Sequence, residues 1–138
     1  MASRLNPYIS FDGEAREAME FYRGVFGGDL VLNTFGEFGA ADTPFADKVM
    51  HAMLETPTGY TLMASDTPPG MQHRSGSAIT ISLSGDDAEV LRGYWDGLSA
   101  DGTVDLPLET QMWGDTFGQC TDKFGVSWMI NIAGPPAG

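Results

Sequence analysis

Phe11-Asp12-Gly13-Glu14 opens a segment that recurs 72 residues later as Leu83-Ser84-Gly85-Asp86. At that offset Glu17 meets Glu89, Met19 meets Leu91, Tyr22 meets Tyr94 and Phe26 meets Leu98. In both copies alternating residues give way to apolar residues at helical spacing, the change of period that marks a strand feeding a helix. A second echo closes each copy: Gly59-Tyr60-Thr61-Leu62-Met63 matches Gly125-Val126-Ser127-Trp128-Met129 at an offset of 66. The chain reads as one unit written twice.

Outward from these echoes, the first copy gives a strand over 5–12 and a helix over 14–26. The helix carries Ala15, Ala18, Met19, Tyr22, Val25 and Phe26 on one face, and Gly27-Gly28 supplies its stop. Strands follow over 29–35, 48–55 and 60–65, with a loop over 36–46 and a tight hairpin at Pro57-Thr58-Gly59. Residues 67–76 hold two prolines and two glycines without periodicity and read as a linker. The second copy gives a strand over 78–84, then a helix over 86–99 with Val90, Leu91, Tyr94 and Leu98 on one face. Strands over 104–111, 117–120 and 126–132 complete it, and 134–138 forms a frayed tail. The expectation is an α+β fold, a single domain over 1–138 made of two βαβββ units at about 4–66 and 77–133.

Composition bounds the function. With 138 residues the chain suits one domain, and 42% hydrophobic against 19% charged residues describes a folding sequence. Seven Lys plus Arg against 19 Asp plus Glu leave a formal charge of −12, which repels phosphate backbones and anionic membranes. No stretch reaches the length of about 18 apolar residues that a spanning helix needs. Glu14, Arg16 and Glu17 interrupt any leader-like apolar run, and a lone Cys120 fits a reducing cytoplasm. The 18 glycines predict many tight turns; the eight methionines predict an adaptable, polarizable interior.

Tandem βαβββ units resemble the vicinal oxygen chelate superfamily of glyoxalase I, extradiol dioxygenases and fosfomycin- or bleomycin-resistance proteins. The PhnB-like branch is the closer match. It rests on Asn6-Pro7-Tyr8-Ile9-Ser10-Phe11, on Ala18-Met19-Glu20-Phe21-Tyr22 with Val25-Phe26-Gly27, and on Asp122-Lys123-Phe124-Gly125-Val126-Ser127-Trp128. The most specific segment is Trp113-Gly114-Asp115-Thr116-Phe117-Gly118. The resemblance implies a glyoxalase-like fold: a curved mixed sheet around a small-molecule cavity, helices outside, and a homodimer. Many members hold a divalent metal on the first and last strands of each unit. Carried over residue by residue, those positions are Tyr8 (Asn6 if the register slips) and Met63, then Thr80 and Met129. Thioethers do not hold Mg, Mn, Fe or Zn against water, so neither metal nor any other cofactor is expected. Glyoxalase-type isomerisation and extradiol cleavage lose their Lewis acid with it.

Strand parity selects the side chains that face the expected cavity. On 48–55, Met50, Ala52 and Leu54 form the apolar face, with His51, Met53 and Glu55 opposite. On 60–65, Tyr60, Leu62 and Ala64 oppose Thr61, Met63 and Ser65. On 78–84, Ile79, Ile81 and Leu83 oppose Thr80, Ser82 and Ser84; on 126–132, Trp128, Ile130 and Ile132 oppose Ser127, Met129 and Asn131. The mixed faces are expected to line the cavity, which gives Tyr8, His51, Met53, Met63, Thr80, Gln111, Trp113 and Met129 as the ligand-binding set. His51 is the candidate catalytic acid/base, against the plainer reading of a sheet histidine bonded to a neighbour. His73 in the linker reads as solvated, and Cys120 as a small buried hydrophobe rather than a nucleophile. Trp113 and Phe117 read as cavity walls or equally as core or dimer seam. Pro68-Pro69-Gly70-Met71 reads as a connector or a lid. No strand–GxGxxG–helix unit, P-loop or nucleophile elbow is present, which argues against the methyltransferase label some relatives carry.

Three functions remain. The first is a metal-free small-molecule binding protein that sequesters or senses a metabolite or antibiotic. The second is a metal-dependent lyase, isomerase or dioxygenase with ligands such as His51, Glu55 or Glu109. The third is a scaffold whose cavity is filled by its own side chains.

Overall fold

A computed structural model describes every residue except 1, 2, 4, 40, 69, 74, 75, 77 and 135–138. The expected tail 134–138 therefore lies outside the described residues save Gly134, as does Pro69 of the lid. The chain divides into two compact units, Met1–Arg74 and Ser75–Gly138. Each has the order βαβββ: β1 (Tyr8–Phe11), α1 (Ala15–Phe26), β2 (Asp29–Thr34), β3 (Val49–Glu55) and β4 (Thr61–Asp66), then β5 (Ile81–Gly85), α2 (Ala88–Ser99), β6 (Thr103–Thr110), β7 (Thr116–Thr121) and β8 (Ser127–Ile132). Among the described residues no helix is long and apolar enough to cross a membrane.

In the first unit the strands lie in the order β1-β4-β3-β2, with β1 parallel to β4 and the other pairs antiparallel. The second unit repeats this as β5-β8-β7-β6. Each helix covers one face of its own sheet. The 3.6-residue stripe of α1 (Ala15, Ala18, Met19, Tyr22, Phe26) is buried with Phe11, Val49, Ala52, Leu54, Leu62 and Ala64. In the second unit Leu91, Tyr94, Trp95 and Leu98 are buried with Leu83, Cys120, Trp128, Ile130 and Ile132. Gly118 has a packing reason: a Cβ there would lie 2.9 Å from both the Leu108 Cα and the Trp95 ring.

The two hairpin turns are copies. Gly59 and Gly125 sit at φ +89° and +87°, where a side chain is strained. Gly59 N–H donates to the Thr56 carbonyl at 3.0 Å, and Gly125 N–H to that of Asp122 at 2.9 Å. The expected pairing of Gly13 with Gly85 is corrected. Gly13, at φ +87°, lies between β1 and α1, whereas Gly85 is the last residue of β5 opposite Ile132. The helices repeat at 72 residues, but the first strands repeat at 74: Tyr8 faces Met63 while Ser82 faces Met129. Three residues, 12–14, separate strand from helix in the first unit and two, 86–87, in the second.

The first strand is only Tyr8–Phe11; Leu5 is fully exposed. Ile79, expected on a covered face, is 82% exposed because β5 starts at Ile81. On β3, Met50 is an extra residue between the pairs Thr34–Val49 and Asn33–His51, a β-bulge that puts Val49 on the helix side in its place. The 36–46 loop contains a 3₁₀ turn, Gly36–Phe38. Thr34 and Glu37 hold it by bonding each other's backbone N–H. His73 is not simply solvated: it is half-buried, with Nδ1 3.0 Å from the Thr67 hydroxyl, which also donates to the Phe11 carbonyl at 3.0 Å.

Candidate functional site

The face of each sheet away from its helix carries the candidate residues. On the first sheet the register sets Val31, Met53, Met63 and Tyr8 in one row across all four strands. The adjacent row begins with Asn33 opposite His51. Side chains directly opposite on one face have Cβ atoms about 5 Å apart, so this row is continuous. Tyr8 is 51% and Val31 54% exposed, while His51, Met53 and Met63 are half-buried. The Tyr8 and His51 rings lie 6.0 Å apart, tilted at 47°. Neighbouring strands are spaced about 4.8 Å apart. β1 and β3 flank β4, so rings this close must lean toward each other above it.

On the second sheet the equivalent row is Leu106, Gln119, Met129 and Ser82. Thr80 lies just before β5 on the same face and shares a 3.0 Å hydrogen bond with the Ser127 hydroxyl, which also accepts from Gln119 Nε2 at 3.4 Å. The side chain opposite Met129 is therefore Ser82, two residues along from Thr80. Gln111 and Trp113 occupy the β6–β7 turn, closed by Gln111 N–H to the Asp115 carbonyl at 2.7 Å. The Gln111 amide donates to the Glu109 carbonyl at 2.9 Å. Trp113 is 61% exposed, its ring 6.4 Å from that of Phe117. It is not a core residue.

Asp115 anchors that turn. It accepts from Asn131 Nδ2 at 3.0 Å and from Gly134 N–H at 2.8 Å. These two bonds, Asn131 first, hold its carboxyl below the ordinary range. Cys120 is fully buried on the helix side of β7. Desolvation, with smaller contributions from the charges of Asp122 and Asp105, raises its thiol to about 11, so it supplies no thiolate at neutral pH.

Strand parity thus gathers Tyr8, His51, Met53 and Met63 on one face, and Thr80 with Met129 on another. Parity also put Ser82 and Ser127 on that face without their entering the ligand-binding set; it missed Val31 and Gln119, the second of which stands 66 residues after Met53 in the matching row. Sequence reading also missed an open groove of about 400 Å3 between α2 and β6, lined by Arg92, Trp95, Asp96, Val104, Pro107 and Leu108.

The family's divalent metal can be tested against the donors. Tyr8, Met63, Met129 and Ser82 or Thr80 stand at the positions carried over; two are thioethers and none is a carboxylate or imidazole. Among the described residues no three His, Cys, Asp or Glu side chains gather to hold an ion. These residues do not fit a hard or borderline divalent cation.

The sequence profile of the Glyoxalase/Bleomycin resistance protein/Dioxygenase superfamily matches residues 4–130. The chain is 33% identical to Protein YjdN of Escherichia coli strain K12, over 93% of this chain and 94% of that one. The crystal structure of protein PA1353 from Pseudomonas aeruginosa superposes with a TM-score of 0.82 at 34% identity, covering 96% of this chain and 98% of the other. A PhnB protein from Bacillus cereus, whose name proposes a 3-demethylubiquinone-9 3-methyltransferase, gives 0.77 at 26% identity, covering 95% and 100%.

Proposed function

The chain belongs to the Glyoxalase/Bleomycin resistance protein/Dioxygenase superfamily, and from that premise we propose that it binds a small organic molecule without a divalent-metal centre. The supporting observation is the row Val31, Met53, Met63 and Tyr8, beside His51, on the uncovered face of the first sheet. Thioethers and an aromatic ring supply dispersion to a flat or apolar ligand, and the Tyr8 hydroxyl and His51 imidazole orient its polar groups. Thr80, Gln111, Trp113 and Met129 are the ligand-binding candidates of the second unit. Sequestration or sensing is the role this chemistry serves, in the cytoplasm and as a homodimer. The methyltransferase name of the Bacillus relative is not carried over. Each unit here is a mixed four-stranded sheet, not the parallel doubly wound sheet on which a Gly-rich turn holds a nucleotide-like methyl donor.

The test pairs metal analysis of protein purified without chelator with a thermal-shift screen of metabolites, phosphonates and aromatic antibiotics. A compound that raises Tm, and does so less in Tyr8→Ala and Met63→Ala, is the expected result. Stoichiometric Zn, Mn, Ni or Fe, removable with loss of an activity, overturns it in favour of the metal-dependent enzyme. A screen without any stabilising compound favours the self-filled scaffold.

A further inference from the structure

We propose that the uncovered face of the first sheet also holds a soft monovalent cation, Cu(I) or its analogue Ag(I), between the thioethers of Met53 and Met63 and the imidazole of His51. The register puts Met53 directly opposite Met63, and His51 shares their face two residues along β3. With Cβ atoms about 5 Å apart, two flexible thioethers can turn both sulfurs onto one ion. The third donor is brought in by the lean of the His51 ring toward Tyr8, 6.0 Å away across β4, which carries the imidazole toward Met63. Tyr8, the parallel partner of Met63, adds an aromatic side chain to the same row. All three donors are half-buried, reachable yet partly shielded from water.

The chemistry that disqualifies Mg, Mn or Zn selects this class of ion. Thioether sulfur is soft, and with a neutral imidazole it suits a monovalent d10 cation of low charge density. The usual rival for such an ion is a thiolate. Here the sole cysteine, Cys120, is buried on the helix side of the second sheet with its thiol held up at about 11. The second sheet is the internal contrast. There Met129 faces Gln119, so one sulfur stands where the first sheet has two.

The experiment titrates the full chain with Ag(I) in chloride-free buffer while the methionine methyl groups are followed by NMR. One equivalent is expected to shift the Met53 and Met63 resonances and leave the other six of the eight methionines in place. Met53→Leu and Met63→Leu keep the side-chain volume and are each expected to weaken binding by about ten-fold or more. Met112→Leu, at a residue 99% exposed, leaves it unchanged. Uptake that is spread over many methionines, or that survives both leucine variants, overturns the proposal; so does uptake that ends at Cys120. Each of these outcomes leaves the organic-ligand screen independently interpretable.

Discussion

In the first unit the hairpin between β3 and β4 is held by Thr56, whose hydroxyl accepts the Tyr60 N–H at 3.0 Å. In the second, Asp122 stands at the same place and accepts from Val126 N–H at 3.1 Å, Phe124 N–H at 2.8 Å and the Trp128 indole at 2.8 Å. The residue matching Trp128 in the first unit is Leu62, which has nothing to donate. A larger core residue with an N–H thus comes with a carboxylate to receive it, as a buried donor requires. The helix starts differ in a parallel way. Asp87 caps α2 from within, accepting Val90 N–H at 3.2 Å. For α1, Glu14 gives no side-chain cap; buried Asp66 at the end of β4 instead accepts Ala15 N–H and Val49 N–H, both at 2.9 Å. The path of the chain is duplicated, while the polar contacts that secure it are particular to each unit.

The strongest way to break this contrast is Trp128→Leu, which gives the second unit the first unit's residue. It removes most of a buried indole and the donor to Asp122, and is expected to cost about 3 kcal/mol or more in denaturant unfolding. Adding Asp122→Thr to it should cost less than Asp122→Thr does alone, by about 1 kcal/mol. Strictly additive losses would mean that the two residues do not act as a pair. Next comes Asp66→Asn, which keeps the shape but leaves one of two buried N–H groups facing an amide nitrogen. The expected loss is about 2 kcal/mol, with faster hydrogen exchange at Ala15 or Val49. Asp87→Ala, removing a cap at an exposed helix start, should cost about 1 kcal/mol. An equal loss at Asp66 and Asp87 would erase the distinction between a cap that ties helix to sheet and one that only ends a helix.

The smallest effect concerns Cys120, which stands 66 residues after Leu54 at a matching buried position. Its thiol is raised from 9.0 to about 11, so the fold favours the neutral form. Stability is fully present below pH 9 and is lost as the pH climbs from 9 toward 11, because the unfolded thiol ionises first. Cys120→Ala should flatten that alkaline slope in thermal melts. An unchanged slope would assign it to other groups.

The sequence made the duplication legible wherever periodicity carried it. The α1 face and the parity of β4 and β8 follow directly from spacing, because a buried stripe leaves a regular mark; on α2 the expected Val90 is 40% exposed and Trp95 is buried in its stead. Parity on β3 failed at Met50 because a bulge inserts one residue without any signature in the apolar pattern. The pairing of Gly13 with Gly85 failed because identical residues served different purposes, a turn in one unit and a strand end in the other. At the site, the face shared by Tyr8, His51, Met53 and Met63 could be read from alternation alone. The convergence of the Tyr8 and His51 rings could not, since it depends on which strand lies between them. Nor could the bond from Ala15 to Asp66, whose partners are 51 residues apart.

The contact between Thr67 and His73 fixes a proton. A threonine hydroxyl has one hydrogen, and that of Thr67 is committed to the Phe11 carbonyl. Toward His73 it can therefore only accept, so the imidazole must carry its hydrogen on Nδ1 and leave Nε2 with a bare lone pair. A single backbone carbonyl at the end of β1 thereby sets the tautomer of a histidine in the following connector.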